Sequence, residues 1–316
     1  MENAVERAIL ENSQEILTKD DLDNLLKNKK AGEIRAYCGY EPSGPIHLGH
    51  LVTLMKLKQL HDAGIKVTVL LADYHAWLNR KGEWEFIHEE ARKWEESIRK
   101  LGLENAEFIL GSKYQRSVEY FDDILLLGLQ ASIKRGIRSM EMVARDYEHA
   151  RISQIFYPLM QIADIKHLNV DIAVGGMEQR KIHALGRETC KSIGLDSFIA
   201  IHTPLISSLL GEGKMSSSIP DSNISLNDSD EEIRRKVLKA HCPAKEKENN
   251  PILQIAQYII FPSKSSVTIK RQEKYGGNIE FKTYEELEEA YLNGLHPLDL
   301  KEMVAENIQS ILGNKE

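Results

Sequence analysis

Along the N-terminal part of the chain the apolar positions follow two rhythms in turn. Ile34 to Cys38, Ile65 to Ala72, Ala106 to Leu110, Val170 to Val174 and Phe198 to Ile201 are short, mainly apolar runs, the pattern of buried parallel strands. Between them the apolar residues recur with helical spacing: from about His47 to Ala63, with Leu51, Leu54, Met55 and Leu60 ahead of Gly64, then over Glu83 to Gly102, Tyr120 to Ala150, Ser153 to Leu168 and Gln179 to Ser192. Strand–helix–strand order predicts right-handed crossovers and an open parallel α/β sheet, with ligands beyond the carboxyl ends of its strands. Residues 1–30 read as polar helix forming a solvated layer, with Thr18 to Asp21 capping its second segment. From about Asp221 charged helical segments take over. Ser229-Asp230-Glu231-Glu232 and Thr283-Tyr284-Glu285-Glu286 are capping boxes, Pro251 to Ile260 is helical, Val267 to Phe281 holds two short strands around Gly276-Gly277-Asn278, and Pro297 opens a terminal helix reaching Leu312.

Length and charge narrow the class. At 316 residues the chain can bury a large core in two domains. A net charge of −7 does not suit a general nucleic-acid binder, so any nucleic-acid contact must use local basic patches. Cys38, Cys190 and Cys242 are odd in number and irregularly spaced, which fits a reducing cytoplasm and argues against a disulfide framework or a Cys-rich zinc site. No apolar run approaches a membrane span, and Met1 to Leu10 lacks a signal-peptide core.

The chemistry concentrates at Gly39-Tyr40-Glu41-Pro42-Ser43-Gly44-Pro45-Ile46-His47-Leu48-Gly49-His50. A strand, a Gly/Pro turn and a helix N-terminus make an anion site, with His47 and His50 on one face of the first turn and Gly49 bare between them. A plain turn with two surface histidines, a zinc site and a nucleotide-phosphate site all compete for it. The zinc reading lacks a Glu after the first His and a third ligand at the right spacing. The phosphate reading gains from a second Gly-flanked loop, Gly211-Glu212-Gly213-Lys214-Met215-Ser216-Ser217-Ser218, whose lysine and hydroxyls suit a polyphosphate.

His47-Leu48-Gly49-His50 resembles the HIGH signature of class I aminoacyl-tRNA synthetases, and Lys214-Met215-Ser216-Ser217-Ser218 resembles their KMSKS loop, with Ser217 where that pattern often has Lys. The segments Tyr37 to Gly44, Gly175 to His183 and His296 to Lys301 are similar to the tyrosyl-tRNA synthetases of the archaeal/eukaryotic branch. The resemblance covers nearly the whole chain. It implies an N-terminal helical segment (1–30), a Rossmann-like catalytic domain (31–215) with an insertion at about 112–150 that makes a homodimer contact, and a smaller, mainly helical anticodon-binding domain (216–316).

The resemblance also implies roles. ATP with Mg2+ and L-tyrosine would form tyrosyl-adenylate and pyrophosphate, and the tyrosyl group would pass to tRNA(Tyr). His47, His50 and Lys214 would be catalytic. Gly39, Gly49, Glu178, Lys214, Met215, Ser216 and Ser217 would bind ATP, with Glu178 standing where many relatives carry Asp. Tyr37 and Asp164 would meet the phenol, Tyr157, Gln161 and Gln179 the ammonium, and Leu70, Ala72 and His75 the ring. Arg138, Arg180 and Lys181 would meet the acceptor end of tRNA, and Tyr275, His296 and Asp299 the anticodon.

Bland readings stand beside several of these. The leucines at 125, 126, 127 and 129 are either core or the dimer contact. Tyr157, Gln161 and Asp164 fall on one helical stripe that is either a solvated face or the wall of a polar pocket. Tyr37 and Asp164 either read a ligand hydroxyl or bond each other in the core. The rival functions are a tryptophanyl-tRNA synthetase, a nucleotidyltransferase that never binds tRNA, and a non-enzymatic tRNA- or protein-binding paralogue.

Overall fold

The computed structural model describes residues 4–142, 151–213, 215, 219 and 221–313. The chain divides into two units, Met1–Gly44 with Lys56–Pro204, and Pro45–Met55 with Leu205–Glu316. The boundary passes through the helix Leu48–Asp62, whose first turns belong with the second unit.

The first unit is built on a six-stranded sheet. Its strands are β1 (Glu15–Leu17), β2 (Arg35–Tyr40), β3 (Lys66–Leu71), β4 (Glu107–Leu110), β5 (Ile172–Gly176) and β6 (Ile199–Thr203), in the order β1-β6-β5-β2-β3-β4. The five apolar runs are the five parallel strands, and β3, β5 and β6 are buried almost throughout, as strands covered on both faces must be. The crossover helices include Trp84–Ile98, Tyr157–His167 and Arg180–Thr189. The strand order reverses between β2 and β5, so the carboxyl ends of these two strands flank the crevice where an open α/β sheet takes its ligand.

Two expectations need correction. Residues 4–30 are not simply a solvated helical layer. Ile9 and Leu22 are fully buried, Thr18 caps the helix Lys19–Asn28 through the Asp21 N–H, and Glu15–Leu17 adds an antiparallel edge strand to β6. A three-residue strand carries too little periodicity to be read from sequence. Lys56, 1% exposed, ties this segment down: its ammonium donates to the carbonyls of Ala8 (2.9 Å), Ile9 (3.4 Å) and Glu11 at the end of the helix Ala4–Leu10, and burial pulls its pKa down to about 8.

The second correction concerns the long helix expected from Tyr120 to Ala150. Val118–Gln130 ends at Ala131, and Ser132 caps a new helix, Ile133–Ser139, by accepting from the Arg135 N–H. Residues 143–150 lie outside the described residues.

The second unit holds the helices Asp230–Lys239, Tyr284–Leu292 and Pro297–Leu312, capped by Ser229, Thr283 and His296. It also holds the helix Pro251–Ile255 and the antiparallel pair β7 (Val267–Ile269) and β8 (Ile279–Phe281). Its predicted elements all form, because each carries its own local cap or turn signal. Gly276 and Gly277, with φ of 95° and 71°, make the turn between the two strands.

Candidate functional site

A buried carboxylate organises the crevice of the first unit. Asp164, 1% exposed on the helix Tyr157–His167, accepts on one oxygen, Oδ1, from the Tyr114 hydroxyl (2.7 Å), the Gln115 amide (2.8 Å) and the Tyr120 hydroxyl (2.8 Å). Its other oxygen, Oδ2, lies 3.7 Å from His75 Nε2. The second N–H of Gln115 donates to His75 Nδ1 at 3.2 Å, so neutral His75 carries its proton on Nε2, facing the carboxylate. Tyr37 bonds the backbone rather than Asp164: its hydroxyl donates to the Gln161 carbonyl at 3.3 Å. The direct core pair considered from the sequence is therefore not the arrangement here. Burial, and then the Asp164 charge, push the Tyr37 phenol well above its ordinary range, so it remains a donor.

Tyr37, Leu70 and Ala72 belong to one apolar cluster, and the His75 ring stands edge-on to Tyr157 at 5.2 Å. Across the crevice Gly175 and Gly176 end β5. A Cβ on Gly176 would sit 2.2 Å from Glu178 Oε2, and one on Gly175 would sit 2.9 Å from Gln179 Cγ, so only glycines let these side chains fold back over the strand end. Gln161 Oε1, Gln179 Oε1 and Glu178 Oε2 are all buried without a hydrogen-bond partner. Three orphaned acceptor oxygens on the expected ammonium and ribose residues are what a site with donors still to come should contain. Gly39, on β2, is exposed, and a Cβ there would meet only ordinary contacts with Leu70 and Tyr37.

Tyr114, Gln115 and Tyr120 were not legible as site residues, although Tyr114 and Gln115 follow shortly after the carboxyl end of β4. Position relative to a strand end was the signal that could have found those two. His183 and His202 were also missed. They are 1% and 0% exposed, and burial drives the His183 pKa down to about 3 and the His202 pKa down as well. A histidine held neutral in the fold stabilises it fully above the unfolded value of 6.5, and that contribution is lost as pH falls from there toward 3. Urea denaturation should show wild type losing on the order of 2 kcal/mol between pH 7 and pH 5 through His183, a loss absent from His183→Phe.

In the second unit, His47 and His50 form a reciprocal cap on the helix that follows them. His47 Nδ1 accepts from the Gly49 N–H (3.1 Å), and His50 Nδ1 accepts from the His47 N–H (3.2 Å). With both Nδ1 atoms accepting, the neutral rings carry their protons on Nε2, and the rings stack at 3.8 Å. Burial, and then the neighbouring His47, lower the His50 pKa well below the ordinary value, which keeps this tautomer at neutral pH. Two Nε2–H donors at a helix N-terminus suit phosphate oxygens.

The two signature stretches meet within this unit. His47 bridges Ser225, the Leu48 N–H donates to the Ile224 carbonyl (2.9 Å), and Met215 is buried, its Cβ 3.7 Å from where a Cβ on Gly49 would stand. That Cβ would also press within 2.9 Å of the His47 ring, so the bare helix turn is a steric requirement. Lys214, Ser216 and Ser217 lie outside the described residues.

The expected tRNA residues fall into two groups. In the first unit Arg138 is exposed, Arg180 pairs with Glu15 at 2.9 Å and Lys181 pairs with Glu141. In the second, Tyr275 is exposed with Lys274 Nζ over its ring at 4.7 Å, Asp299 is 4.0 Å from Arg271, and the His296 ring accepts from the Leu298 N–H at 3.1 Å. His296 thus caps the helix that it precedes.

Comparison with known proteins agrees with the sequence reading. The profile of the tRNA synthetases class I (W and Y) matches residues 29–313. The chain is 46% identical to the tyrosine--tRNA ligase of Methanopyrus kandleri over 97% of its own length and 94% of that protein. It is 47% identical to the tyrosine--tRNA ligase of Methanosarcina barkeri over 96% of each. A crystal structure of the Archaeoglobus fulgidus tyrosyl-tRNA synthetase complexed with L-tyrosine superposes with a TM-score of 0.93, at 46% identity, covering 98% of this chain and 96% of that one. The chain therefore belongs to the class I tRNA synthetases of the tryptophan and tyrosine group, and within it to the tyrosine--tRNA ligases.

Proposed function

We propose that the chain activates L-tyrosine with ATP, releasing pyrophosphate, and transfers the tyrosyl group to the 3′ end of tRNA(Tyr). The observation that carries this is near-full-length identity of 46% to tyrosine--tRNA ligases. The rival functions drop below it for the same reason. ATP would enter as its magnesium chelate, so we treat magnesium as part of the substrate. Asp164 and Tyr37 would face the phenol, one accepting and one donating. The orphaned oxygens of Gln161 and Gln179 would accept from the ammonium, and that of Glu178 from a ribose hydroxyl. The tyrosine carboxylate attacks the α-phosphorus as the bond to pyrophosphate breaks. Such a displacement needs alignment and charge stabilisation more than covalent help, and the Nε2–H donors of His47 and His50, with Lys214, would supply the latter. ATP–pyrophosphate exchange across all amino acids tests the reading: exchange with tyrosine alone is expected, and exchange driven by another amino acid overturns it.

The partner assignments follow from surfaces. Val118, Phe121, Leu125 and Leu129 share one exposed face of the helix Val118–Gln130, with Leu129 79% exposed, while Leu127 on the other side is core. An apolar stripe of that kind suits a second copy of this chain, as a homodimer. Two of the three cysteines are buried thiols, which a cytoplasmic location fits. Among the described residues no helix is long and apolar enough to cross a membrane.

For tRNA, the C-terminal unit would read the anticodon through Asp299, with Tyr275 and His296 beside it in the sequence pattern, and Arg138, Arg180 and Lys181 would meet the acceptor end. Asp299→Ala is expected to weaken aminoacylation by ~1–3 kcal/mol while leaving pyrophosphate exchange at the wild-type rate. If exchange falls in parallel, Asp299 supports the fold instead.

A further inference from the structure

A line of four polar side chains leads from the amino-acid crevice to the edge of the sheet. Gln161 Nε2 lies 3.3 Å from His183 Nε2, His183 Nδ1 lies 2.9 Å from His202 Nε2, and His202 Nδ1 lies 3.0 Å from Glu15 Oε2. The Arg180 guanidinium donates to the same carboxylate at 2.9 Å. Both imidazoles are buried, and their rings stack at 5.1 Å.

The acidic end sets the direction of every bond. An ionised carboxylate only accepts, so His202 donates through Nδ1 and its Nε2 must accept. His183 then donates through Nδ1, and its own Nε2 must accept. The only group of Gln161 that can satisfy that nitrogen is its NH2. The amide is thereby held in one of its two orientations, with Oε1, buried and without a partner, left for the ligand. The Gln161 backbone carbonyl meanwhile accepts from the Tyr37 hydroxyl, so the same residue touches both ends of the expected tyrosine site.

We infer that His183, His202 and Glu15 are positioning residues, which lock the Gln161 amide with its oxygen presented to the ammonium group of the bound amino acid. The inference rests on the reading of Gln161 as an ammonium acceptor. Without the lock the amide can turn over and present NH2, a donor, to an ammonium that has only donors. Neither histidine touches the reacting atoms, so the effect falls on recognition of the ammonium and not on the chemical step.

Two probes separate this role from simple structural support. Tyramine keeps the ammonium and lacks the carboxylate; 3-(4-hydroxyphenyl)propanoate keeps the carboxylate and lacks the ammonium. In His183→Phe, the KM for tyrosine in pyrophosphate exchange and the inhibition constant of tyramine should each rise about tenfold, while kcat and the inhibition constant of the propanoate stay within about twofold. His183→Gln, whose Oε1 can accept from Gln161, should recover most of the loss. Glu15→Leu, at the half-exposed end, guards against a His183 variant that fails to fold: it should raise the same two constants about threefold. Equal weakening of both probes, or unchanged tyrosine KM in His183→Phe and Glu15→Leu, overturns the inference. Gln161→Met distinguishes the underlying reading. If it leaves the tyrosine KM unchanged, the ammonium assignment itself is wrong; if it raises KM while the relay variants do not, only the relay falls.

Discussion

Replacing Asp164 with alanine is expected to lower stability by about 3–5 kcal/mol and to abolish measurable tyrosine activation. The reason is the crowding on one oxygen. Tyr114, Gln115 and Tyr120 all donate to Oδ1 in a site that is 1% exposed, and alanine would leave the Tyr114 hydroxyl and one Gln115 N–H without an acceptor. Each orphan costs ~1–3 kcal/mol, less than additively because Tyr120 also reaches the Met160 carbonyl at 2.8 Å and Gln115 also reaches His75. Asp164→Asn separates the two duties of this residue. Its amide oxygen still accepts the three bonds, so the fold should stay within about 1–2 kcal/mol of wild type. Its NH2 replaces the second carboxylate oxygen with a donor, so activation of tyrosine should fall much further than activation of para-substituted phenylalanines that lack a hydroxyl. Tyr37→Leu is the cleaner companion, since it removes a hydroxyl bonded to a single carbonyl. Urea denaturation and pyrophosphate exchange measure the two effects. An alanine variant as stable as wild type would show that the three bonds do not support the fold. An asparagine variant that keeps wild-type preference for tyrosine would remove Asp164 from phenol recognition.

Lys214→Ala should slow adenylate formation by about 2–4 kcal/mol of barrier, roughly 30- to 1,000-fold, with little change in tyrosine affinity. A lysine in a Gly-flanked loop is suited to the charge that grows on departing pyrophosphate, and that charge is absent while tyrosine alone is bound. Of its described neighbours, the Gly213 carbonyl accepts from the Ser208 N–H at 2.9 Å, and Met215 is buried. The histidine cap would support the same step from the other signature, with two Nε2–H donors whose tautomer the backbone enforces. Single-turnover formation of tyrosyl-adenylate is the measurement. A near-normal rate in the variant would take Lys214 out of the mechanism, and a raised tyrosine Kd with an unchanged rate would reassign it to substrate binding.

The sequence by itself determined whatever is written locally. Short, mainly apolar runs specified the five parallel strands, because strands covered on both faces are apolar at most positions. Ser229, Thr283 and Pro297 marked their helices through caps and φ preferences that act within one turn. His47 to His50 and Lys214 to Ser218 carry the residue types a proposed phosphate site would need, and those too are read within a few positions of chain. Tertiary structure alone decided the rest. Glu15–Leu17 becomes a strand only because β6 offers it an unpaired edge. Asp164 is an acceptor surrounded by donors only because Tyr114, Gln115 and Tyr120 arrive from a distant stretch of chain. Gln161, His183, His202 and Glu15 form one line across separate elements, and no periodicity couples residues so far apart. Hydrogen-bond direction adds the last level: which nitrogen of each histidine carries its proton follows from the carboxylate at the end of the line and from backbone N–H groups at the helix cap, neither of which the residue itself encodes.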